Sequence, residues 1–414
     1  VLVILLQLFC HVTAAPKHGS VTSTDGTEIS FTRYPAEGKT LFIWLPSEAG
    51  IQEAERRAAA ALSQAGNEVW LADLFESRFL PVATSSLDRI PAEDVASLIT
   101  AAYQQKQNVY LLSNGRGSLP LLRGLHHWQL QHPLRQNLPA VILLSPKFYY
   151  ETPDPGQAAH LLPIVEQTNA LLFIIQPTQS PWRWKLEQTI PALQHGGSDV
   201  YLQLLPRVRD RFYFRPDATP QEQALGQRLP ALLRQATHYL SNWPPHTRTV
   251  NPVTRELAPL PTGKKPRELK TYAGDPLPPP LQLNGLDNKN YDLADYRGQV
   301  VLVNFWASWC PPCVHEMPSM QRLQKRLQDR PFTILAVNMA EDRQVINKFL
   351  NSKVNVSFPI LLDRDGQALQ RWGVFAFPTS YVIDKQGRIR YALFGSVDWE
   401  DHNIVSKLTA LLNE

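Results

Sequence analysis

Val300-Val301-Leu302-Val303-Asn304-Phe305-Trp306-Ala307-Ser308-Trp309-Cys310-Pro311-Pro312-Cys313 decides the fold of its half of the chain. Apart from Asn304, its first seven residues are β-branched, aliphatic or aromatic, the composition of a buried strand. Pro311 suits the first turn of a following helix, where its missing N–H costs nothing. The cysteines therefore fall at a strand-to-helix junction, with Cys310 at the helix N-terminus. There the free N–H groups and the helix dipole stabilise a thiolate. Two cysteines at i and i+3 can also close a short disulfide. This arrangement suits thiol–disulfide exchange.

The chain has three cysteines, and the third, Cys10, lies in a segment expected to be removed. Cys310 and Cys313 then stand alone, with no structural disulfide framework to explain them. Zinc would need two more ligands; His315 is near, but no second CxxC or HxxxH pair exists, so no metal site is assigned. Covalent haem needs CxxCH, and Val314 intervenes before His315. An inert buried pair would be an odd use of the two cysteines. Redox exchange is the reading that remains, and it requires no cofactor.

Residues 1–9 form an apolar run, too short to span a bilayer at about 20 residues. Val12 and Ala14 fit the small-residue positions before a signal-peptidase cut, so cleavage after Ala14 is expected. Residues 1–15 are read as a signal peptide truncated at its start, since the chain opens on Val1 without a basic n-region. The competing reading is a buried N-terminal strand. Phe9 is too bulky for a lipobox before Cys10, so export without a lipid anchor is favoured. A net charge of +4 over 414 residues, with the charges interspersed, shows no nucleic-acid-binding stripe and no polybasic membrane patch.

Proline marks the boundary between two domains. Ten of the 35 prolines fall between Pro244 and Pro280, in a stretch with little apolar periodicity. Such a segment builds no core and favours extended conformations. Residues 244–269 are read as a Pro-rich linker between domains at 19–243 and 270–414. In the first, apolar strands at 41–45, 69–72, 109–113, 140–144, 171–175 and 200–205 alternate with helical patterns at 51–65, 92–103 and 221–240. That alternation implies an α/β fold with a mostly parallel sheet covered on both faces. Ahead of it, 21–33 with Asp25-Gly26 reads as a β-hairpin.

This half resembles an α/β-hydrolase domain, through its strand order and the turn Ser113-Asn114-Gly115-Arg116-Gly117. The turn sits where that family carries its G-x-S-x-G nucleophile elbow. Gly115 occupies the nucleophile position and Ser113 that of the first glycine, a degenerate elbow. The loop Gln176-Pro177-Thr178-Gln179-Ser180 supplies no acid, and Asp210-Arg211-Phe212 stands where the histidine is expected. All three triad roles look vacant. A shifted nucleophile at Ser113 or Ser118 is the alternative. Otherwise Gly115 and Gly117 serve a tight turn. His126, His127 and His132 read as packing or surface residues.

Residues 270–414 resemble the TlpA/ResA-like family of exported thioredoxin-fold oxidoreductases. The run Asn304–Cys313 matches the family's active-site motif, and Val314-His315-Glu316-Met317-Pro318 its continuation. Phe377-Pro378-Thr379 matches a loop with a cis-proline facing the disulfide. Tyr381–Gly387 matches the closing hairpin, and 332–337, 342–350 and 358–362 fit the strand–helix–strand insertion. The resemblance implies that Cys310 attacks and Cys313 resolves the mixed disulfide. Pro311 and Pro312 stiffen the loop and tune the potential. Asn304 stands where ordinary thioredoxins carry a buried acid, and Glu316, on the Cys313 face of the helix, is expected to relay protons instead; a solvated Glu is the bland alternative. Pro378 is expected to be cis, exposing the backbone of Phe377 to an added substrate strand. Trp306, Trp309 and Phe377 are expected on an apolar rim, with Thr379 beside them.

The leader-like segment, the cysteine pair and this resemblance together imply a periplasmic or otherwise extracytoplasmic thiol–disulfide oxidoreductase. It would reduce disulfide-containing exported proteins, apocytochrome c among the candidates, and be recharged by a membrane thiol electron donor. The first domain would dock or target, its partner unspecified. The alternatives are a bifunctional protein with a residual serine hydrolase, a dithiol oxidase, and a binding protein whose cysteines sense redox state.

Overall fold

The computed structural model describes residues 15–243, 248–251 and 267–414. The signal-peptide reading, with Cys10 and the cut after Ala14, and most of the Pro-rich linker lie outside these residues. Contacts divide the chain into two compact units: Val1–Tyr150 with Leu161–Thr262, and Glu151–His160 with Gly263–Glu414.

The first unit begins with a hairpin, β1 (Lys17–Thr22) and β2 (Glu28–Tyr34), turned at Gly26 with φ +86°. Six strands follow: β3 (Thr40–Leu45), β4 (Glu68–Ala72), β5 (Asn108–Asn114), β6 (Ala140–Leu144), β7 (Leu171–Gln179) and β8 (Asp199–Arg209). The eight strands form one sheet in the order β1-β2-β4-β3-β5-β6-β7-β8, parallel from β4 to β8. The helices are α1 (Glu53–Gln64), α2 (Leu74–Ser77), α3 (Ala92–Gln105), α4 (Ser118–Gln131), α5 (Ile164–Gln167), α6 (Leu186–His195), α7 (Pro220–Gln227) and α8 (Leu229–Ser241).

Neighbouring strand residues point to opposite faces, so each strand feeds two cores. Ile43, Leu111 and Ile174 pack with Leu98, Leu122 and Trp128 on one side. Phe42, Leu112 and Ile175 pack with Leu62, Leu233 and Ala236 on the other. Burial on both faces explains why these strands read as continuous apolar runs. The single helix expected at 221–240 is two helices, α7 and α8. Pro230 cannot donate an N–H, and its ring crowds the carbonyl four residues back, so the helix breaks at Arg228.

The second unit is built on a six-stranded sheet in the order β14-β13-β12-β15-β16-β9. Its strands are β9 (Lys270–Thr271), β12 (Val300–Trp306), β13 (Phe332–Met339), β14 (Ile360–Asp363), β15 (Thr379–Ile383) and β16 (Ile389–Phe394), with β10 (Gln282–Asn284) and β11 (Asn290–Asp292) as a separate hairpin. β12 runs parallel to β13 and antiparallel to β15. The helices are α9 (Pro311–Arg326), α10 (Arg343–Lys353), α11 (Gln367–Arg371) and α12 (His402–Asn413). This is a thioredoxin fold, and β13, α10 and β14 form the strand–helix–strand segment expected from sequence. All seven residues of β12 are buried, and the strand delivers its chain directly to Cys310.

Candidate redox site

Cys310 is the N-cap of α9, and Pro311 and Pro312 fill the first helical positions, where no N–H is required. The backbone N–H of Cys313 points at Cys310 Sγ, 3.3 Å away. The two cysteines are joined as a disulfide, their Cα atoms 5.3 Å apart. Cys310 is 5% exposed and Cys313 not at all. An incoming nucleophile or substrate therefore meets Cys310 first.

The Phe377–Pro378 bond is cis. Trp309 and Phe377, both half-buried, meet edge to face with centroids 5.7 Å apart. Thr379 is buried, and its hydroxyl donates to the carbonyl of Ala376 at 2.7 Å. Its side chain is turned away from solvent. Trp306 does not join the rim expected from sequence. It is fully buried and packs on Phe349 of α10, because its place at the end of the central strand points it into the layer between sheet and helix.

Behind Cys313 lies Glu316, 1% exposed. Asn304 on β12 donates to its Oε1 at 2.8 Å, and the Trp399 indole donates to its Oε2 at 3.3 Å. Asn304 Nδ2 also donates to Ser380 Oγ at 2.9 Å, across the pair that β12 and β15 bring into register. Burial pushes the Glu316 carboxyl up to about 8, against hydrogen bonds from Asn304, Trp399 and the Val397 N–H that favour the charged form. A carboxyl poised there can take or give a proton near neutral pH.

Sequence reasoning missed a second acid. Glu341 follows β13 and accepts from the Ser308 N–H at 2.6 Å, from the Ser308 hydroxyl, and from Asn338 Nδ2 at 2.8 Å. Burial raises its pKa, while these donors pull the other way. Trp399 was missed for the same reason: each makes its contact from a distant segment.

The turn after β5 in the first unit carries glycine, not serine, at position 115. Gly115 has φ +54°, a conformation that favours glycine. A Cβ there would come within 2.7 Å of Glu48 Oε2. At Gly117 a Cβ would lie 2.2 Å from both the Pro46 carbonyl and Ser113 Oγ, so that glycine serves close packing. Ser113 and Ser118 are fully buried, their hydroxyls donating to the carbonyls of Leu45 and Gly115. Glu48 accepts from the Arg116 N–H at 2.9 Å, Lys147 Nζ at 2.6 Å and Arg211 at 2.8 Å. Burial pushes the Glu48 carboxyl up, but Lys147, Arg116 and Arg211 outweigh it and hold it well below the usual range. Asp210 accepts from Ser180 Oγ at 2.7 Å. A carboxylate thus fills the place beside the turn.

Among the described residues, no group of three His, Cys, Asp or Glu side chains could hold a metal, and no helix is long and apolar enough to cross a membrane.

Residues 272–411 match the Redoxin family. The thiol-disulfide oxidoreductase ResA of Geobacillus thermodenitrificans is 39% identical over 123 residues, which are 30% of this chain and 70% of that protein. ResA of Bacillus subtilis is 33% identical over 119 residues, 29% of this chain and 66% of its own. A solved thiol:disulfide interchange protein of Chlorobium tepidum is 26% identical, covers 34% of this chain and 98% of its own, and has a TM-score of 0.30. With its paired cysteines at the head of α9 and its likeness to ResA of Geobacillus thermodenitrificans, the chain belongs through its second unit to the ResA family of thiol–disulfide oxidoreductases.

Proposed function

We propose that this protein is an exported reductase of protein disulfides, working through Cys310 and Cys313. The observation that carries the reading is the pair itself: an accessible-side Cys310 capping a helix, its buried partner Cys313, and a buried acid three residues on. In the reduced protein the Cys310 thiolate attacks one sulfur of a substrate disulfide. A mixed disulfide forms and the other substrate sulfur leaves as a thiolate. Glu316 takes the Cys313 proton, and the resulting thiolate attacks Cys310 Sγ. The Cys310–Cys313 disulfide forms and the second substrate sulfur leaves. The two leaving thiolates take up two protons, one by way of Glu316 and one from solvent. Two electrons have passed to the substrate, and a membrane thiol donor returns them to the enzyme.

Trp309, which precedes Cys310 and meets the Phe377 ring, and the Phe377–Thr379 segment would receive the substrate chain. Exported proteins, apocytochrome c among them, are the substrate class. The first unit acts as a docking or targeting module. Its strand order and its turn after β5 support the α/β-hydrolase-like reading. The Glu48 carboxylate beside Gly115 and the engaged hydroxyls of Ser113 and Ser118 support its lack of hydrolytic chemistry.

The test is a trap in the source cell. A Cys313→Ala variant keeps the attacking thiol and cannot resolve the intermediate, so partners stay attached. One or two dominant exported proteins are expected, and their capture should fall when residues 19–243 are deleted. Recovery of no mixed disulfide, or of partners unaffected by the deletion, would sink the reductase or the docking role respectively.

A further inference from the structure

Asn304 uses its two ends unequally. Its Nδ2 donates to Glu316 Oε1 at 2.8 Å and to Ser380 Oγ at 2.9 Å. Its Oδ1 is buried and has no hydrogen-bond partner. All three side chains are essentially shut from solvent. A primary amide carries two donors at one end and two acceptor lone pairs at the other, and a half-turn about its last side-chain bond exchanges them in place.

The far side of the acid is already committed. Glu316 Oε2 accepts from the Trp399 indole at 3.3 Å, and the Val397 N–H also donates to the carboxyl. A proton on Glu316 therefore belongs on Oε1, facing Asn304. With the amide as it stands, that O–H would meet an N–H. With the amide turned over, Oδ1 would accept from both the Glu316 O–H and the Ser380 O–H. Both neighbours can reverse their roles, because a carboxyl gains a donor on protonation and a hydroxyl is donor and acceptor at once.

We propose that Asn304 is a positioning residue whose side-chain amide turns over when Glu316 gains or loses its proton, keeping both states of the acid hydrogen-bonded. This rests on the reading of Glu316 as the proton carrier for Cys313. The groups bonded to the acid are uncharged: Asn304 from the sheet, itself bonded to Ser380, and Trp399 and the Val397 N–H from the loop after β16. On its own helix, Cys313 stands one turn before it, held here as disulfide, and Ser319 donates to its backbone carbonyl. His315 and Asp398 are exposed, and Glu400 turns to Arg322. An aspartate at position 304 would add a second buried charge and, when ionised, could donate to neither neighbour. An asparagine at this strand position suits a buried acid that must exist in two states.

The test is NMR on the full chain in its disulfide form, with asparagine side-chain nitrogens and glutamate carboxyl carbons labelled, from pH 5 to 10. Glu316→Gln and Asn304→Ala assign the two signals by their loss. The Asn304 amide protons should shift with the same midpoint as the Glu316 carboxyl, and their contact with the Ser380 β-protons should be present above that midpoint and lost below it. An amide that keeps this contact throughout overturns the proposal, as does a Glu316 carboxyl that fails to titrate in the range. Asn304→Ala then separates a turning amide from a fixed donor. Losing a group that serves both states should move the midpoint by about half a pH unit or less, whereas losing a fixed donor to the carboxylate should raise it by more than about one. If that variant does not fold, the wild-type spectra decide. Thiol reactivity of reduced Glu316→Gln tests the underlying reading separately: an unchanged pH profile removes Glu316 from proton transfer and leaves the amide result standing.

Discussion

Glu341 receives both the backbone N–H and the hydroxyl of Ser308, the N–H at 2.6 Å. The bond ties the end of β13 to the loop two residues before Cys310. Glu341 is buried, so its alanine variant takes this acceptor from the buried Asn338 Nδ2 as well as from the half-buried Ser308 N–H. Glu341→Ala should lose about 1–3 kcal/mol of stability. Glu341→Gln, which retains one acceptor oxygen, should lose less. Denaturant midpoints of the three proteins check the ranking, and a slower reaction of reduced Cys310 with a small disulfide should follow the same order.

Glu316 makes stability depend on pH. Its carboxyl sits at about 8, raised by burial from an ordinary 4.5. The folded protein therefore holds its proton more tightly than the unfolded chain. The contribution is complete below about pH 4.5 and is lost as pH climbs to about 8, with a slope near 1.4 kcal/mol per pH unit between them. Unfolding free energies of wild type minus Glu316→Gln, measured across this window in the disulfide form, should fall with that slope. A flat difference would mean that the acid is ionised throughout.

Trp399 steadies the charged form of the same acid through its indole N–H. Trp399→Phe keeps most of the buried ring and removes only the donor. The Glu316 midpoint should rise by about half to one pH unit, since a donor to a charged acceptor is lost and the contact is long. The carboxyl carbon signal of Glu316 reads this directly.

Restoring a serine at the turn after β5 should not restore a hydrolase. A side chain at position 115 must hold φ +54° and push into Glu48 Oε2, 2.7 Å from its Cβ. Gly115→Ser should lose about 1–2 kcal/mol from the backbone alone and show no ester hydrolysis. Thermal unfolding and an ester assay check both halves. Hydrolysis by the variant would return the first unit to the enzymes.

Much of this protein is legible in local pattern. The apolar run 300–306 and Pro311 are enough to set Cys310 at the head of a helix, since strand burial and helix initiation depend on neighbouring residues. The same holds for the strands of the first unit, whose two buried faces make them read as continuous apolar stretches. Where local pattern misled, a single residue explains it: Pro230 splits a helix that the apolar spacing would have carried through, and Trp306 faces α10 because the last residue of β12 points into the layer beneath it. What only the tertiary structure decided is who meets whom. Ser308 and Glu341 are 33 residues apart, Glu316 and Trp399 83, and Glu48 and Arg211 163. Those pairings are set by how strands register and helices pack, and a carboxylate's chemistry depends on the few ångströms around it rather than on its neighbours in the chain.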